Sequence, residues 1–167
     1  EYDPSQILIT VGGSEAIDLA LRACVERGDE ILIPDPAYVS YSPLVTLADG
    51  VPVQVECREE DNFVLKPEYL EKAITDKTKA IILTYPNNPT GAIMTEEELR
   101  AIAKVLIKHD LLVITDEIYA ELTYGNAHAS IASFPGMKER TIYVSGFSKA
   151  FAMTGWRMGY VCAPPEI

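Results

Sequence analysis

A lysine and an arginine, Lys149 and Arg157, lie in one glycine-rich stretch near the end of the chain, residues 146–159. A lysine amine is a nucleophile when its surroundings favour the neutral form, and it can then attack a carbonyl carbon. A guanidinium presents a planar fork of N–H donors that matches a phosphate group. An isolated pair of this kind would most often be two surface residues of a loop, so the interpretation depends on the residues around them.

Asp116 and Tyr119 follow an apolar segment, residues 111–115, that is typical of a buried strand. Taken alone, an aspartate at the end of a strand would most often cap a turn. Glu117 is the neighbouring carboxylate, and the alternation of side chains along a strand predicts that it points away from Asp116.

The sequence Gly12-Gly13-Ser14 stands between a predicted strand and a predicted helix. Glycines allow close approach of the backbone to a ligand, and a helix N-terminus offers free N–H groups to an anion. Neither the G-x-G-x-x-G dinucleotide fingerprint nor the G-x-x-x-x-G-K-[ST] phosphate loop is present, which disfavours a nicotinamide or ATP site. On its own the turn is weak evidence for an anion site, because many turns between a strand and a helix contain glycine for packing alone.

Residues 146–159 have the sequence Gly-Phe-Ser-Lys-Ala-Phe-Ala-Met-Thr-Gly-Trp-Arg-Met-Gly. Here the chain resembles the fold-type I aminotransferases of classes I and II, the aspartate and aromatic aminotransferase-like enzymes that depend on pyridoxal 5'-phosphate (PLP). The motif in which these enzymes attach their cofactor places small, apolar and glycine residues around one lysine and one arginine. Residues 146–159 match every position of that motif. The resemblance implies that Lys149 carries PLP as a Schiff base and that Arg157 holds its phosphate.

The same resemblance extends to three other places in the chain. The pattern D-x-x-Y at Asp116 and Tyr119 implies that the aspartate pairs with the pyridine nitrogen of PLP. It also implies that the tyrosine donates a hydrogen bond to the hydroxyl oxygen of the PLP ring. Asn88, in Asn-Pro-Thr-Gly, matches the asparagine that contacts the ring oxygen and the substrate carboxylate. Tyr38 matches the aromatic residue that stacks on the ring. Lys149, Asp116 and Tyr119 are therefore the expected catalytic residues.

One position departs from many members of the family. Gly146 stands where many of them have a phosphate-binding serine, so the phosphate would depend more on Gly13, Ser14, Ser148 and Arg157. His109 and His128 match no catalytic position. No metal site is expected.

Apolar segments and amphipathic helical patterns alternate along the chain. Strands are predicted at residues 7–11, 30–33, 51–55, 80–84, 111–115, 141–145 and 158–162. Pro67 marks a helix start, and Thr95 with Glu98 forms a capping box. This order predicts one α/β domain, a three-layer α/β/α sandwich with a mostly parallel sheet of about seven strands. Because the polar motifs all follow strands, one site at the carboxyl edge of the sheet is expected.

Bulk properties narrow the function classes further. The chain has 167 residues and a net charge of −11. Such an acidic domain repels nucleic-acid phosphates and acidic lipid headgroups, so neither nucleic acid nor membrane is an expected partner. No apolar run is long enough to cross a membrane, and the expected compartment is the cytoplasm. Cys24, Cys57 and Cys162 are expected to be reduced thiols rather than a disulfide framework or a zinc site.

The resemblance also sets expectations for the whole protein. Residues 1–167 correspond to the PLP-binding large domain, and the N-terminal arm and small C-terminal domain of the family lie outside the chain, which suggests an excised or truncated domain. Full-length members are homodimers that act on an amino acid and a 2-oxo acid. Since their substrate-carboxylate arginine belongs to the C-terminal part, we expect this chain to bind PLP but to transaminate poorly.

Other functions stay open from sequence alone. Carbon–sulfur lyases, aminocyclopropane-carboxylate synthases and decarboxylases of the same fold share these cofactor residues. A PLP-binding domain of a transcription regulator is a non-enzymatic alternative. An α/β domain without a cofactor would require several coincidental motif matches.

Overall fold

The chain folds around one central β-sheet. A computed structural model describes residues 1–125 and 127–167. The strands are β1 Ile7–Thr10, β2 Glu30–Asp35, β3 Val51–Glu56, β4 Thr78–Thr84, β5 Leu112–Asp116, β6 Thr141–Gly146 and β7 Gly159–Cys162. The α-helices are α1 Gly13–Cys24, α2 Tyr41–Leu47, α3 Pro67–Ala73 and α4 Glu96–Lys108. Short 3-10 helices lie at Pro4–Gln6, Glu59–Asp61, Ala120–Leu122, Ile131–Ser133, Lys138–Arg140 and Thr154–Trp156.

The seven strands in the described part of the chain form a single sheet in the order β1-β7-β6-β5-β4-β2-β3. Strands from β6 to β3 pair in parallel, whereas β7 runs antiparallel to both β6 and β1. The last strand in sequence is therefore inserted beside the first. The predicted fold class, with a mostly parallel sheet of about seven strands, is confirmed.

Two apolar layers cover the sheet, and β4 shows how one strand supplies both. Its Ile81 and Leu83 pack against the layer that contains α3 and α4, whereas Ala80 and Ile82 pack against α1 and α2. A strand buried on both faces has no polar side to present, which explains its continuous apolar sequence. Within the two described ranges, no helix has the length and apolar character needed to cross a membrane.

Two helix starts follow the sequence signals. Pro67 is the first residue of α3, where its missing N–H has no helical acceptor to lose. Thr95 caps α4: its hydroxyl oxygen accepts a hydrogen bond from the Glu98 backbone N–H at 3.2 Å, and the Glu98 carboxylate accepts one from the Thr95 N–H at 2.9 Å. The predicted capping box is thus confirmed.

Helix α2 and the end of β2 differ from the sequence analysis, which contains no helix over residues 41–47. Pro43 is the third residue of α2, a position where the N–H has no intrahelical partner, so proline is tolerated there. Strand β2 continues past Ile33 to Asp35, which pairs with Glu56 of β3.

Gly159 allows β7 to pass beside the turn between β1 and α1. A Cβ atom at this position would lie 2.5 Å from the Gly12 carbonyl carbon and 2.7 Å from the Gly13 nitrogen. We expect Gly159→Ala to lower the free energy of unfolding in urea by about 1–3 kcal/mol, as overpacking does. Gly155→Ala is the control, because a Cβ atom there would have no neighbour within 4 Å, and it should change stability by less than about 0.5 kcal/mol. Equal losses in the two variants would contradict this account.

Candidate active site

A cavity of about 210 Å³ lies at the carboxyl edge of the parallel strands. Its walls come from the segments that follow β1, β2, β4, β5 and β6, because parallel strands end at the same edge of a sheet. The structure brings together around it all nine residues singled out from the sequence: Gly13, Ser14, Tyr38, Asn88, Asp116, Tyr119, Ser148, Lys149 and Arg157. Four further residues line it that the sequence analysis did not select: Ile17, Tyr41, Ile118 and Thr154.

The Asp116 carboxylate forms the inner end of the cavity. It is the last residue of β5 and only 7% exposed. One carboxylate oxygen accepts a hydrogen bond from the Tyr41 hydroxyl at 2.8 Å, and the other accepts one from the Ile118 backbone N–H at 3.1 Å. Burial raises the pKa of this carboxyl, while the two hydrogen bonds act to lower it and the nearby Glu117 charge raises it further. Since both donors are neutral, the cavity suits a ligand that brings a positive charge to Asp116.

Tyr41 is a site residue that the sequence analysis missed. Its buried hydroxyl lies 2.6 Å from the Thr84 hydroxyl and donates to Asp116. Its ring also meets the Tyr38 ring edge-on, with centroids 5.6 Å apart. Tyr38 precedes α2 and Tyr41 is its first residue, so the only signal in the sequence was that the two tyrosines lie close together in the chain. Hydrogen bonds that run from Thr84 through Tyr41 to Asp116 orient the Asp116 carboxylate.

Arg157 and the start of α1 form another part of the cavity wall. Gly12, the N-cap of α1, has φ +81°, and a Cβ atom there would lie 2.6 Å from the Arg157 Nη2 atom. The guanidinium therefore sits directly over the glycine turn, and its Nη1 donates to the Thr154 carbonyl at 2.9 Å. Free N–H groups at a helix N-terminus and a guanidinium together attract an anion such as phosphate.

The glycine at position 146 has a structural explanation. A Cβ atom at Gly146 would lie 2.8 Å from the Met158 carbonyl oxygen and 3.0 Å from the Gly159 Cα. The start of β7 thus leaves no room for a serine side chain here in the observed backbone arrangement. Ser148 is buried and lines the cavity, so a hydroxyl is still available from the same segment.

Lys149 and Tyr119 lie near each other at the side of the cavity. The Lys149 Nζ atom is 5.6 Å from the centroid of the Tyr119 ring, close enough for a cation–π interaction. The lysine is exposed, so its amine is accessible to a small molecule in the cavity. Accessibility is what a nucleophilic amine requires first.

The loop that carries Asn88 is organised by its neighbour, Asn87. The Asn87 side-chain oxygen accepts hydrogen bonds from the Thr90 N–H at 3.2 Å and the Thr90 hydroxyl at 2.9 Å, and its amide nitrogen donates to the Pro36 carbonyl at 3.2 Å. These contacts join the segments after β4 and β2, and they leave the Asn88 side chain at the cavity wall. Asn87 therefore has an organising role that turn composition alone does not reveal.

The arrangement matches a particular chemical class of ligand. A phosphate would meet Arg157 and α1, a protonated ring nitrogen would meet Asp116, and a carbonyl carbon would be within reach of the Lys149 amine. PLP has these three groups on one planar ring, so the residues present fit it. Within the described residues, no group of three or more His, Cys, Asp or Glu side chains could hold a metal ion.

Comparison with known proteins gives the family. The model of the family described as aminotransferase class I and II matches residues 1–167. An aspartate aminotransferase from Pyrococcus abyssi is 50% identical over 169 residues, covering 100% of this chain. An aromatic-amino-acid aminotransferase from Thermococcus litoralis is 49% identical over 166 residues, covering 98% of this chain.

A solved structure agrees with these matches. The aromatic aminotransferase from Pyrococcus horikoshii superposes with a TM-score of 0.96 at 51% identity, covering 98% of this chain and 44% of that one. The chain spans 43% of the length of both curated relatives. With the family model matched from Glu1 to Ile167 and a cavity of the expected composition, the chain belongs to the class I and II aminotransferase family.

Proposed function

We propose that this chain is the PLP-binding large domain of an aminotransferase, which transfers an amino group between an amino acid and a 2-oxo acid. The observation that carries the proposal is that Lys149, Asp116 and Arg157 face one cavity. Members of the family use PLP as their cofactor. The names of the relatives favour transamination over the lyase and regulator alternatives.

Several residues would hold the cofactor in place. Arg157, Ser14, Ser148 and the N-terminal N–H groups of α1 would bind its phosphate. Tyr38 would pack against the ring, and Asn88 and Tyr119 would donate hydrogen bonds to the ring oxygen. When bound, PLP supplies an electron sink for the charge that develops at the substrate Cα.

Asp116 and Lys149 would carry the chemistry itself. Asp116 would keep the ring nitrogen protonated, because an opposite charge within hydrogen-bonding distance favours the charged form. Tyr41 and Thr84 hold that carboxylate in one orientation. The Lys149 amine would accept the proton from the substrate Cα and would donate the same proton to the carbon of the cofactor that becomes bonded to hydrogen.

The first prediction concerns Lys149. Mixing the chain with PLP should produce an imine absorption band, and borohydride reduction should fix one pyridoxyl adduct that peptide mass spectrometry places on Lys149. Lys149→Arg keeps the charge but has no nucleophilic amine, so the band and the adduct should both disappear. Lys104, on the surface of α4, serves as the matched control, and Lys104→Arg should leave the adduct unchanged. An adduct on another lysine, or none, would contradict the proposed site.

Asp116→Asn separates two effects of the Asp116 charge: its burial lowers the stability of the folded chain, and its contact with PLP would strengthen cofactor binding. Burial raises the folded-state pKa of Asp116 above its unfolded-state value. The folded chain therefore loses stability as pH rises from the unfolded-state pKa through the folded-state pKa, where the buried carboxyl ionises. We expect the variant to be more stable than the parent at neutral pH in urea unfolding, and this difference to shrink as pH falls and Asp116 is protonated. The variant should bind PLP about 10- to 100-fold more weakly, since a charged hydrogen bond contributes about 1.5–3 kcal/mol. A variant that binds PLP as tightly as the parent would refute the role of Asp116.

We further propose that the parent protein is a homodimer that works in the cytoplasm. Phe151 is 63% exposed and Trp156 is 71% exposed, and both belong to the segment that carries Lys149 and Arg157. Large apolar side chains grouped beside a site commonly mark a contact with another chain. Cys24, Cys57 and Cys162 are free thiols, which suits a reducing compartment.

Sedimentation velocity tests this dimer. We expect the chain to self-associate with rising concentration, and the double variant Phe151→Glu, Trp156→Glu to raise the dissociation constant at least about tenfold, since two buried charges oppose association. Leu47→Glu is the control, because this exposed residue ends α2, a helix that contacts β3 at the far end of the strand order from β7. A chain that stays monomeric at all accessible concentrations would argue against this interface.

A further inference from the structure

Glu117 is a buried carboxylate that the proposed chemistry does not use. It follows Asp116 directly, but its side chain lies on the other face of the sheet, as the alternation along the strand predicts. Only 3% of the side chain is exposed. A carboxylate buried to this degree is uncommon, because removing it from water costs free energy that its partners must offset.

Three side chains satisfy the Glu117 carboxylate. One oxygen accepts hydrogen bonds from the Ser130 hydroxyl at 2.6 Å and the Thr115 hydroxyl at 3.2 Å. The other oxygen lies 2.6 Å from the His128 Nε2 atom. Thr115 belongs to β5 itself, whereas His128 and Ser130 belong to the segment that returns across the back of the sheet. The carboxylate therefore ties this returning segment to the end of β5.

The backbone of Glu117 is held as firmly as its side chain. Its N–H donates to the Val144 carbonyl at 2.9 Å, which extends the pairing of β5 with β6. Its carbonyl accepts the Ala120 N–H at 3.0 Å and lies 3.4 Å from the Ser145 hydroxyl, a donor at the end of β6. The residues on either side of Glu117 are Asp116 and Ile118, and both line the cavity.

These contacts give Glu117 a place in the function of the site. We propose that Glu117 is a positioning residue: through His128 and Ser130 it fixes the backbone of residues 116–119, so that Asp116 and Tyr119 point into the cofactor cavity. The positioning role rests on the proposed PLP function, because it concerns residues that would contact the cofactor. The hydrogen bonds that fix the backbone are present in the chain without any cofactor. Hydrogen bonds to residues behind a site hold its functional groups within the narrow geometric range that binding requires.

Amide hydrogen exchange tests the positioning without any cofactor. Glu117→Leu removes all three side-chain contacts at similar volume, and we expect the amides of Glu117 and Ile118 to exchange at least about tenfold faster. Glu117→Gln should restore exchange to within about threefold of the parent, because its amide can accept from both hydroxyls and donate to the histidine ring. His128→Leu removes one contact and serves as the second variant should Glu117→Leu not fold.

PLP affinity, measured by absorbance titration, is the second readout. We expect Glu117→Leu to bind PLP about tenfold more weakly and with an altered spectrum of the bound cofactor, and Glu117→Gln to bind nearly as the parent does. Thr141→Val is the matched control: it removes another buried hydrogen bond, 2.6 Å to the Met137 carbonyl, at the far end of β6. It should lower stability yet leave both PLP affinity and the exchange of the two amides unchanged.

The outcomes separate this inference from the proposed function. If the parent chain binds no PLP, the proposed function fails, and the exchange data still decide whether Glu117 fixes residues 116–119. If the parent binds PLP and Glu117→Leu binds it equally well with parent-like exchange, the positioning role is overturned. If Thr141→Val accelerates exchange and weakens PLP binding as much as Glu117→Leu does, Glu117 acts only through general stability.

Discussion

A carboxylate at the end of β5 is buried beside neutral hydrogen-bond donors, and this constraint organises the surrounding site. Taking a carboxyl group out of water disfavours its charged form unless nearby dipoles or cations compensate. Asp116 receives two such dipoles, from the Tyr41 hydroxyl and the Ile118 N–H. These contacts aim the carboxylate without neutralising it. A positive charge on a ligand in the cavity would stabilise the ionised carboxylate further.

The sheet combines this carboxylate with groups of the opposite charge in one cavity. Parallel strands deliver Asp116, Asn88 and Lys149 to one edge, while the antiparallel β7 brings Arg157 against the start of α1. The cavity wall therefore carries both a buried carboxyl group and a guanidinium. A small molecule with a positive and a negative group could be held in one orientation by the two.

The sequence predicts those parts of this arrangement that depend on neighbouring residues. Strands, the capping box at Thr95, and the glycine turn at the start of α1 all have local signals. The hydrogen bond between Tyr41 and Asp116 joins residues far apart in the chain, so no local pattern indicates it. Helix α2 was missed for a related reason: its burial against β2 and α1 comes from tertiary packing. The contact between Glu117 and His128 likewise depends on where a loop returns, which spacing alone does not give.

The position of β7 has a consequence for how the molecule is made. Among the described strands, β1 is synthesised before the others, and within the described residues it pairs with β7, which is synthesised after them. Until Cys162 has emerged, β1 has no neighbour in the sheet, and the Arg157 guanidinium cannot lie over Gly12. Contacts between distant parts of a chain form slowly because a long loop must close first. A nascent chain therefore lacks the contact between Arg157 and the glycine turn until β7 has paired with β1.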